Sequence, residues 1–219
     1  MTRRNRVDPW GDLHAEPARG MFTGNRGCLV DDSGAVVRHH RSTTLWITCL
    51  TVFRGWRHPL EAPHVWTPLF FLDEAVALAA GHRPCAFCRR DDYQRYRDAV
   101  AGGGAVAGAG ARRPPLAAEL DRRLSRERLR RGRGISRAAD RLLWAAAADE
   151  VPDGTVVLDA DGRPCLVAGA TLRPFSFAGW GAPSRRPRAG AVPVLTPPTS
   201  VAALAAGYPP ALHPSASVL

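Results

Sequence analysis

The chain contains no lysine; all 30 of its Lys and Arg positions are arginine. With so much alanine, glycine and proline, that absence has the look of a coding bias that would raise arginine in any protein. The formal net charge is still +10, which favours polyanionic partners such as nucleic acid. Long apolar runs are missing too. None approaches the roughly 18 residues of a membrane span, so no membrane association is expected. The basic start Met1-Thr-Arg-Arg-Asn-Arg leads into Val-Asp-Pro-Trp rather than an apolar stretch, which gives no signal-peptide pattern. Cysteine is scarce and odd in number: Cys28, Cys49, Cys85, Cys88 and Cys165. A reducing cytoplasmic setting is the expectation, and there a close cysteine pair means metal or redox chemistry rather than a structural disulfide.

One such pair is present, in Gly81-His82-Arg83-Pro84-Cys85-Ala86-Phe87-Cys88-Arg89-Arg90. At C-x2-C spacing two thiolates aim at one point, and the turn between them frees backbone N–H groups to hydrogen-bond the sulfurs. That is half of a tetrahedral zinc site. A redox pair would open a helix directly after a strand and expose one acidified sulfur, whereas this motif follows a helix end. The other half must come from elsewhere. Cys49, within the best strand pattern of the chain, is the third ligand, and Cys28, opening a strand that could pair alongside, is the fourth by elimination. His39, His40, His58, His64 and His82 compete for that last position, although His82 lies so near Cys85 that ligation would strain the turn. Cys165 reads as a small buried hydrophobe.

Around the pair the chain divides into three parts: an α+β region over 1–100, a flexible Gly/Ala/Pro linker over 101–115, and a helical plus β-rich region over 116–219. Residues 43–53 are dense in β-branched and aromatic side chains, and their alternation sets Leu45, Ile47, Cys49 and Thr51 on one face. Residues 65–71 form a further strand, at a sheet edge because Pro68 cannot donate to a ladder. Asp73 caps a helix from Glu74 to Ala80 that Gly81 ends. A second helix opens at Asp91-Asp92, its acidic residues favoured there by the helix dipole. In the last part, 116–131 is a charged helix with Leu116, Leu120 and Leu124 as its apolar stripe, and 138–148 is another helix. Residues 155–158 and 164–167 make a hairpin. Val201-Ala-Ala-Leu-Ala-Ala-Gly-Tyr-Pro echoes Ala75-Val-Ala-Leu-Ala-Ala-Gly-His-Arg-Pro without the cysteines, as two Ala-rich helices each ended by glycine would.

The run Leu69-Phe-Phe-Leu-Asp-Glu-Ala-Val-Ala-Leu-Ala-Ala-Gly-His-Arg-Pro-Cys-Ala-Phe-Cys-Arg-Arg resembles the second half of the Ada-type metal-binding domain. There an aromatic strand and an Asp/Ser-Glu-Ala helix precede an Arg-Pro-Cys-x2-Cys turn. The resemblance implies an α+β fold of small antiparallel sheets with a zinc knuckle and flanking helices. In that family four cysteines bind zinc, and one takes a methyl group from a DNA phosphotriester. The first half of that site, a C-x3-C pair, is absent, since the positions four away from Cys49 are Leu45 and Phe53. Zinc binding carries over to Cys85 and Cys88; methyl acceptance does not. The whole chain is also similar to a bacterial protein family sharing the Gly24-Asn-Arg-Gly, Leu69-Phe-Phe-Leu-Asp-Glu-Ala and Gly81-His-Arg-Pro-Cys segments, a likeness that implies no activity.

Basic residues with aromatic neighbours flank the expected zinc region: Arg54, Trp56 and Arg57 before it, Arg89 and Arg90 after it. They suit phosphate contact with stacking, with DNA preferred over RNA as partner. Asp31, Asp32, Asp73, Glu74, Asp91 and Asp92 supply the carboxylates a metal-dependent nuclease would need, but each has a simpler role as a turn, cap or helix-start residue. The reading is a zinc-binding protein with a structural cysteine site, associated with nucleic acid. An enzyme modifying or repairing nucleic acid through a zinc-bound cysteine, and a protein-interaction module, are the alternatives.

Overall fold

The computed structural model describes residues 3–31, 44–57, 66–103, 113–129 and 140–217. Among them the chain is a mixed α+β protein with two multi-stranded sheets and four helices. The first sheet holds β1 (Arg4–Val7), β2 (Leu13–Ala15), β3 (Phe22–Asn25), β4 (Ile47–Leu50), β5 (Leu69–Phe71) and β6 (Arg83–Pro84), in the order β2-β1-β5-β3-β4-β6. It is not purely antiparallel, because β1 pairs with β5 and β4 with β6 in parallel. The second sheet is antiparallel throughout. Its strands are β7 (Trp144–Ala147), β8 (Val156–Leu158), β9 (Pro164–Ala168), β10 (Thr171–Ser176), β11 (Gly179–Trp180), β12 (Ser184–Arg185) and β13 (Ala191–Val194).

Three sequence expectations change here. The strand expected over 43–53 runs only from Ile47 to Leu50, and Phe53 and Trp56 close a turn beyond it. Strand β5 is central rather than at an edge, lying between β1 and β3. Pro68 precedes its first residue, so it removes no ladder bond. The segment expected to be a helix over 138–148 contributes β7, whose alanines pair with β13 from Ala191↔Ala147 to Val194↔Trp144. Alanine's helix preference is small, and here pairing to an edge overrides it. The expected hairpin over 155–167 does form, as β8 and β9, with Val156 opposite Leu166. Residues 32–43, which follow the strand expected to open at Cys28, lie outside the described residues. So do 104–112 of the expected linker, whose first three residues complete the second helix.

The helices are α1 (Glu74–Ala79), α2 (Arg90–Gly103), α3 (Ala117–Arg128) and α4 (Pro198–Ala205). Every residue of α1 is buried. Its Ala75, Val76, Ala77 and Ala79 join side chains of the first sheet (Val7, Phe22, Leu69, Phe71) and of the second (Val156, Leu158, Leu166) in one hydrophobic core. Its other side offers Leu78 to a cluster from the remaining helices, with Tyr93, Tyr96, Leu120 and Leu204. A helix surrounded in this way is a rigid mount for whatever follows it. The C-x2-C segment follows it.

Candidate metal centre

Asp73 starts α1 as read from sequence: its carboxylate accepts from the Val76 N–H at 3.0 Å. The same carboxylate accepts from Trp180 Nε1 at 2.7 Å and from the His213 N–H at 3.0 Å, which ties the helix start to the second sheet. Burial raises its pKa, and these donors oppose the rise. At the other end, Gly81 takes φ 87° and β6 leaves along the edge of the first sheet. Pro84, with no N–H, is tolerated at that edge. Pairing with β4 is parallel, Ile47 to Arg83 and Thr48 to Pro84, and the Cys85 N–H donates to the Thr48 carbonyl at 2.9 Å. That register sets Cys85 beside Cys49, and the next turn returns Cys88 to the same point. The pair lies between strand β6 and helix α2, the placement expected of a redox pair rather than one that follows a helix end.

The Sγ atoms of Cys49, Cys85 and Cys88 all lie within 4.8 Å of one another. Cys49 and Cys85 are buried and Cys88 half-buried. The sulfurs of the turn are served by backbone donors. Cys85 Sγ accepts from the Phe87 N–H at 3.4 Å and from the Cys88 N–H, and Cys88 Sγ accepts from the Leu50 N–H. Hydrogen bonds from the Cys49 and Cys88 thiols, reinforced by those N–H groups, hold Cys85 far below the ordinary thiol range. Cys49 is pushed in the opposite direction by its bonds to Cys85 and Cys88 and by burial. Cys88 is lowered by Cys49 but raised more by Cys85 and desolvation, and ends above the usual range. The three thiols are thus hydrogen-bonded to one another. Such a donor set can hold a metal ion that accepts soft ligands.

Two buried ion pairs fix the segment on either side of the sulfurs. Arg83 makes a bidentate pair with Asp121 on α3, at 2.8 and 2.9 Å. Arg89 bonds Glu74 at 2.8 Å and Asp92 at 2.9 Å, with its guanidinium 4.4 Å over the Phe22 ring. Glu74 also accepts from the Tyr208 hydroxyl at 2.6 Å and the Ala211 N–H at 2.9 Å. Removing one member of such a pair strands a buried charge, at a cost of about 3–5 kcal/mol. The cysteine turn is thus fastened through Arg89 to the first residue of α1 and through that residue to the C-terminal segment.

Cys28 is not brought to the cluster; its thiol donates to the Val30 carbonyl at 3.3 Å. His82 does not join it either. Its Nε2 accepts from Arg26 Nε at 3.1 Å, and its ring lies against Phe71 and Trp46, with centroids 4.7 and 5.1 Å away. Burial, with the charges of Arg26, Arg128 and Arg141, holds the imidazole well below its ordinary pKa, so it is neutral. His39, His40, His58 and His64 lie outside the described residues, as does Asp32. Among the described residues no group of carboxylates converges as the cysteines do. Asp73 and Glu74 are spent on the cap and the ion pair.

Arg54, Trp56, Arg57 and Arg90 are exposed. Arg89 is not: its side chain is 1% accessible and committed to Glu74. Alternation of charge and aromatic residues cannot separate a buried arginine from a surface one, since the difference is made by Glu74, fifteen positions earlier. Asp121, Tyr208 and the buried Arg26, Arg128 and Arg141 also escaped the sequence reading. Arg128 lies 3.7 Å and Arg26 4.1 Å from the Trp46 ring centroid. Arg128 donates to the Gly81 carbonyl, and Arg141 to those of Ala79 and Ala80. Three guanidinium groups thus gather at the C-terminal, negative end of α1, where a helix favours cations. No helix among the described residues is long and apolar enough to cross a membrane. No protein-family model, curated protein or solved structure matches the chain.

Proposed function

We propose that the protein binds one zinc ion through Cys49, Cys85 and Cys88, that the ion is structural, and that the surface beside it contacts DNA. The observation that carries the metal is the convergence of three sulfurs within 4.8 Å on a turn whose N–H groups already point at them. Sulfur donors and backbone N–H···S bonds suit zinc better than a hard cation, which would want oxygen ligands. When bound, zinc cross-links β4 to the turn before α2 and keeps all three cysteines as thiolates. Arg83 and Arg89 orient the two ends of the turn, and a reducing compartment keeps the thiols available. This agrees with the Ada-type resemblance of residues 69–90, without the methyl transfer that family performs.

Nucleic-acid contact rests on the net charge of +10 and on the exposure of Arg54, Trp56, Arg57 and Arg90 beside the cysteines. A cobalt(II) titration tests the metal: the thiolate charge-transfer and tetrahedral d–d bands should appear with one equivalent and weaken in C49S, C85S and C88S. Absence of those bands in a folded protein would reject the metal. A gel-shift series with rising salt tests the partner. Binding should fall steeply with salt and weaken when Arg54, Arg57 and Arg90 are replaced together by alanine; indifference to that change would reject the nucleic-acid surface.

A further inference from the structure

Exposed apolar surface is concentrated next to the cysteines. Of the eight large hydrophobic side chains exposed among the described residues, four are Leu50, Val52, Trp56 and Phe87. Single exposed hydrophobics are ordinary, but a cluster with a charged rim marks a binding surface. Phe87 stands at the tip of the Cys85–Cys88 turn, 74% exposed, and meets Phe53 edge-on at 5.3 Å. Trp56, 55% exposed, is joined to Phe53 by both backbone hydrogen bonds of a two-residue hairpin turn, at 3.0 and 2.9 Å.

The two residues at the tip of that turn are Arg54 at φ 53° and Gly55 at φ 80°. Both lie in the left-handed region, as a type I′ turn requires, and such a turn prefers asparagine before the glycine. Arg54 is the one non-glycine residue with positive φ among the described residues. One substitution would relax the turn, yet an arginine stands there. Strain held at an exposed tip points to a use for its side chain outside the fold. The guanidinium lies 5.2 Å from the Phe53 ring centroid, and residues 44–57 contain no carboxylate. Arg90 shares its turn of α2 with the exposed Asp91, which leaves Arg54 and Arg57 as the stronger phosphate contacts.

We propose that Phe87, Trp56 and Arg54 form a platform for single-stranded DNA, with bases stacking on the two rings and phosphates meeting Arg54 and Arg57. The proposal rests on the nucleic-acid reading above and specifies its ligand. A duplex conceals the faces of its bases and offers only phosphates and groove edges, so it has no use for rings exposed beside a metal knuckle. An unstacked base has a face to offer, and sequence-tolerant stacking beside arginine is the usual means of holding single strands. The charge favours DNA over a protein partner, since the patch is basic within a strongly basic chain.

The test is fluorescence anisotropy of the zinc-loaded full chain with a labelled thymidine oligomer and with a duplex of equal length. The single strand should bind more tightly. Phe87→Ala and Trp56→Ala should each weaken it on the order of tenfold while leaving the duplex unchanged. Zinc content should stay the same, because neither ring belongs to the three-sulfur cluster. Phe87→Leu should fail like alanine and Phe87→Trp should restore binding, which separates stacking from mere apolar contact. Arg54→Asn should raise the melting temperature, weaken binding, and lower the salt slope by about 0.7. Equal binding of both nucleic acids, unaffected by the ring variants but lost with the arginines, would overturn the platform and leave the nucleic-acid reading standing. No binding to either would overturn both and leave the surface to a protein partner.

Discussion

Helices α1 and α4 end in the same way and lead to different things. In both, glycine takes the left-handed position, at φ 87° for Gly81 and 91° for Gly207. In both, the N–H of the following residue reaches back five positions: His82 to the Ala77 carbonyl at 2.9 Å, and Tyr208 to that of Ala203 at 3.0 Å. The glycine N–H closes the shorter bond, to Leu78 at 2.9 Å and to Leu204 at 3.0 Å. This is one helix-ending motif built twice. After α4 the chain continues without cysteines, and Tyr208 goes to Glu74 at the start of α1. After α1 it continues into β6 and the three-sulfur cluster. The turn therefore needs no sulfur to close, so the cysteines serve something that the backbone alone does not require.

The two glycines also differ in what surrounds them. A Cβ on Gly81 would lie 2.6 Å from Arg128 Cδ, and Arg128 is held by the Gly81 and Thr44 carbonyls and by the Trp46 ring. A Cβ on Gly207 would meet nothing within 4 Å. Gly81→Ala should cost about 3 kcal/mol or more, from backbone strain plus overpacking. Gly207→Ala should cost about 1 kcal/mol, from strain alone. Urea unfolding of the two variants measures the difference, and equal losses would deny the buried arginine cluster its clamping role.

Tyr208→Phe comes next in size. It removes one donor from the buried Glu74 carboxylate and should lower stability by about 2 kcal/mol, read as a fall in melting temperature. If Glu74 holds the knuckle through Arg89, the variant should also lose metal faster to a chelator, although Tyr208 touches no sulfur.

Acid should act on one side of the comparison alone. His82 is neutral in the folded protein, with a pKa well below its ordinary value, while the unfolded chain takes up its proton near pH 6.5. Above that pH neither state binds the proton. Below it the unfolded state gains one that the folded state refuses, so stability falls as pH falls, by at most about 1.4 kcal/mol per pH unit. Tyr208 occupies the equivalent place after α4, and burial raises its pKa further above the ordinary range, so it stays neutral across this window. His82→Gln should flatten the acid limb between pH 6.5 and 5; an unchanged slope would show that other groups carry it.

What could be read from sequence was local. The Asp73 cap, the Gly81 stop, the C-x2-C turn and the β8–β9 hairpin are written within a few residues of where they act. Cys49 was legible because it lies in a strand whose β-branched density is plain. What escaped was long-range. Nothing near Arg89 announces Glu74, nothing near Arg83 announces Asp121, and an arginine-rich chain disguises Arg26, Arg128 and Arg141 as surface residues. Cys28 was chosen by elimination, and elimination carries no geometry. Residues 144–147 read as helix because alanine favours it, and the edge of a sheet claimed them.

The central claim is that Cys49, Cys85 and Cys88 act together on one ion. Zinc content of the purified chain, set beside that of C49S, C85S and C88S, tests it directly. The expected result is about one zinc per chain, lost or sharply reduced in all three variants, with C28S and C165S unaffected. A well-folded protein that contains no zinc, or one whose zinc survives Cys49→Ser, would contradict it.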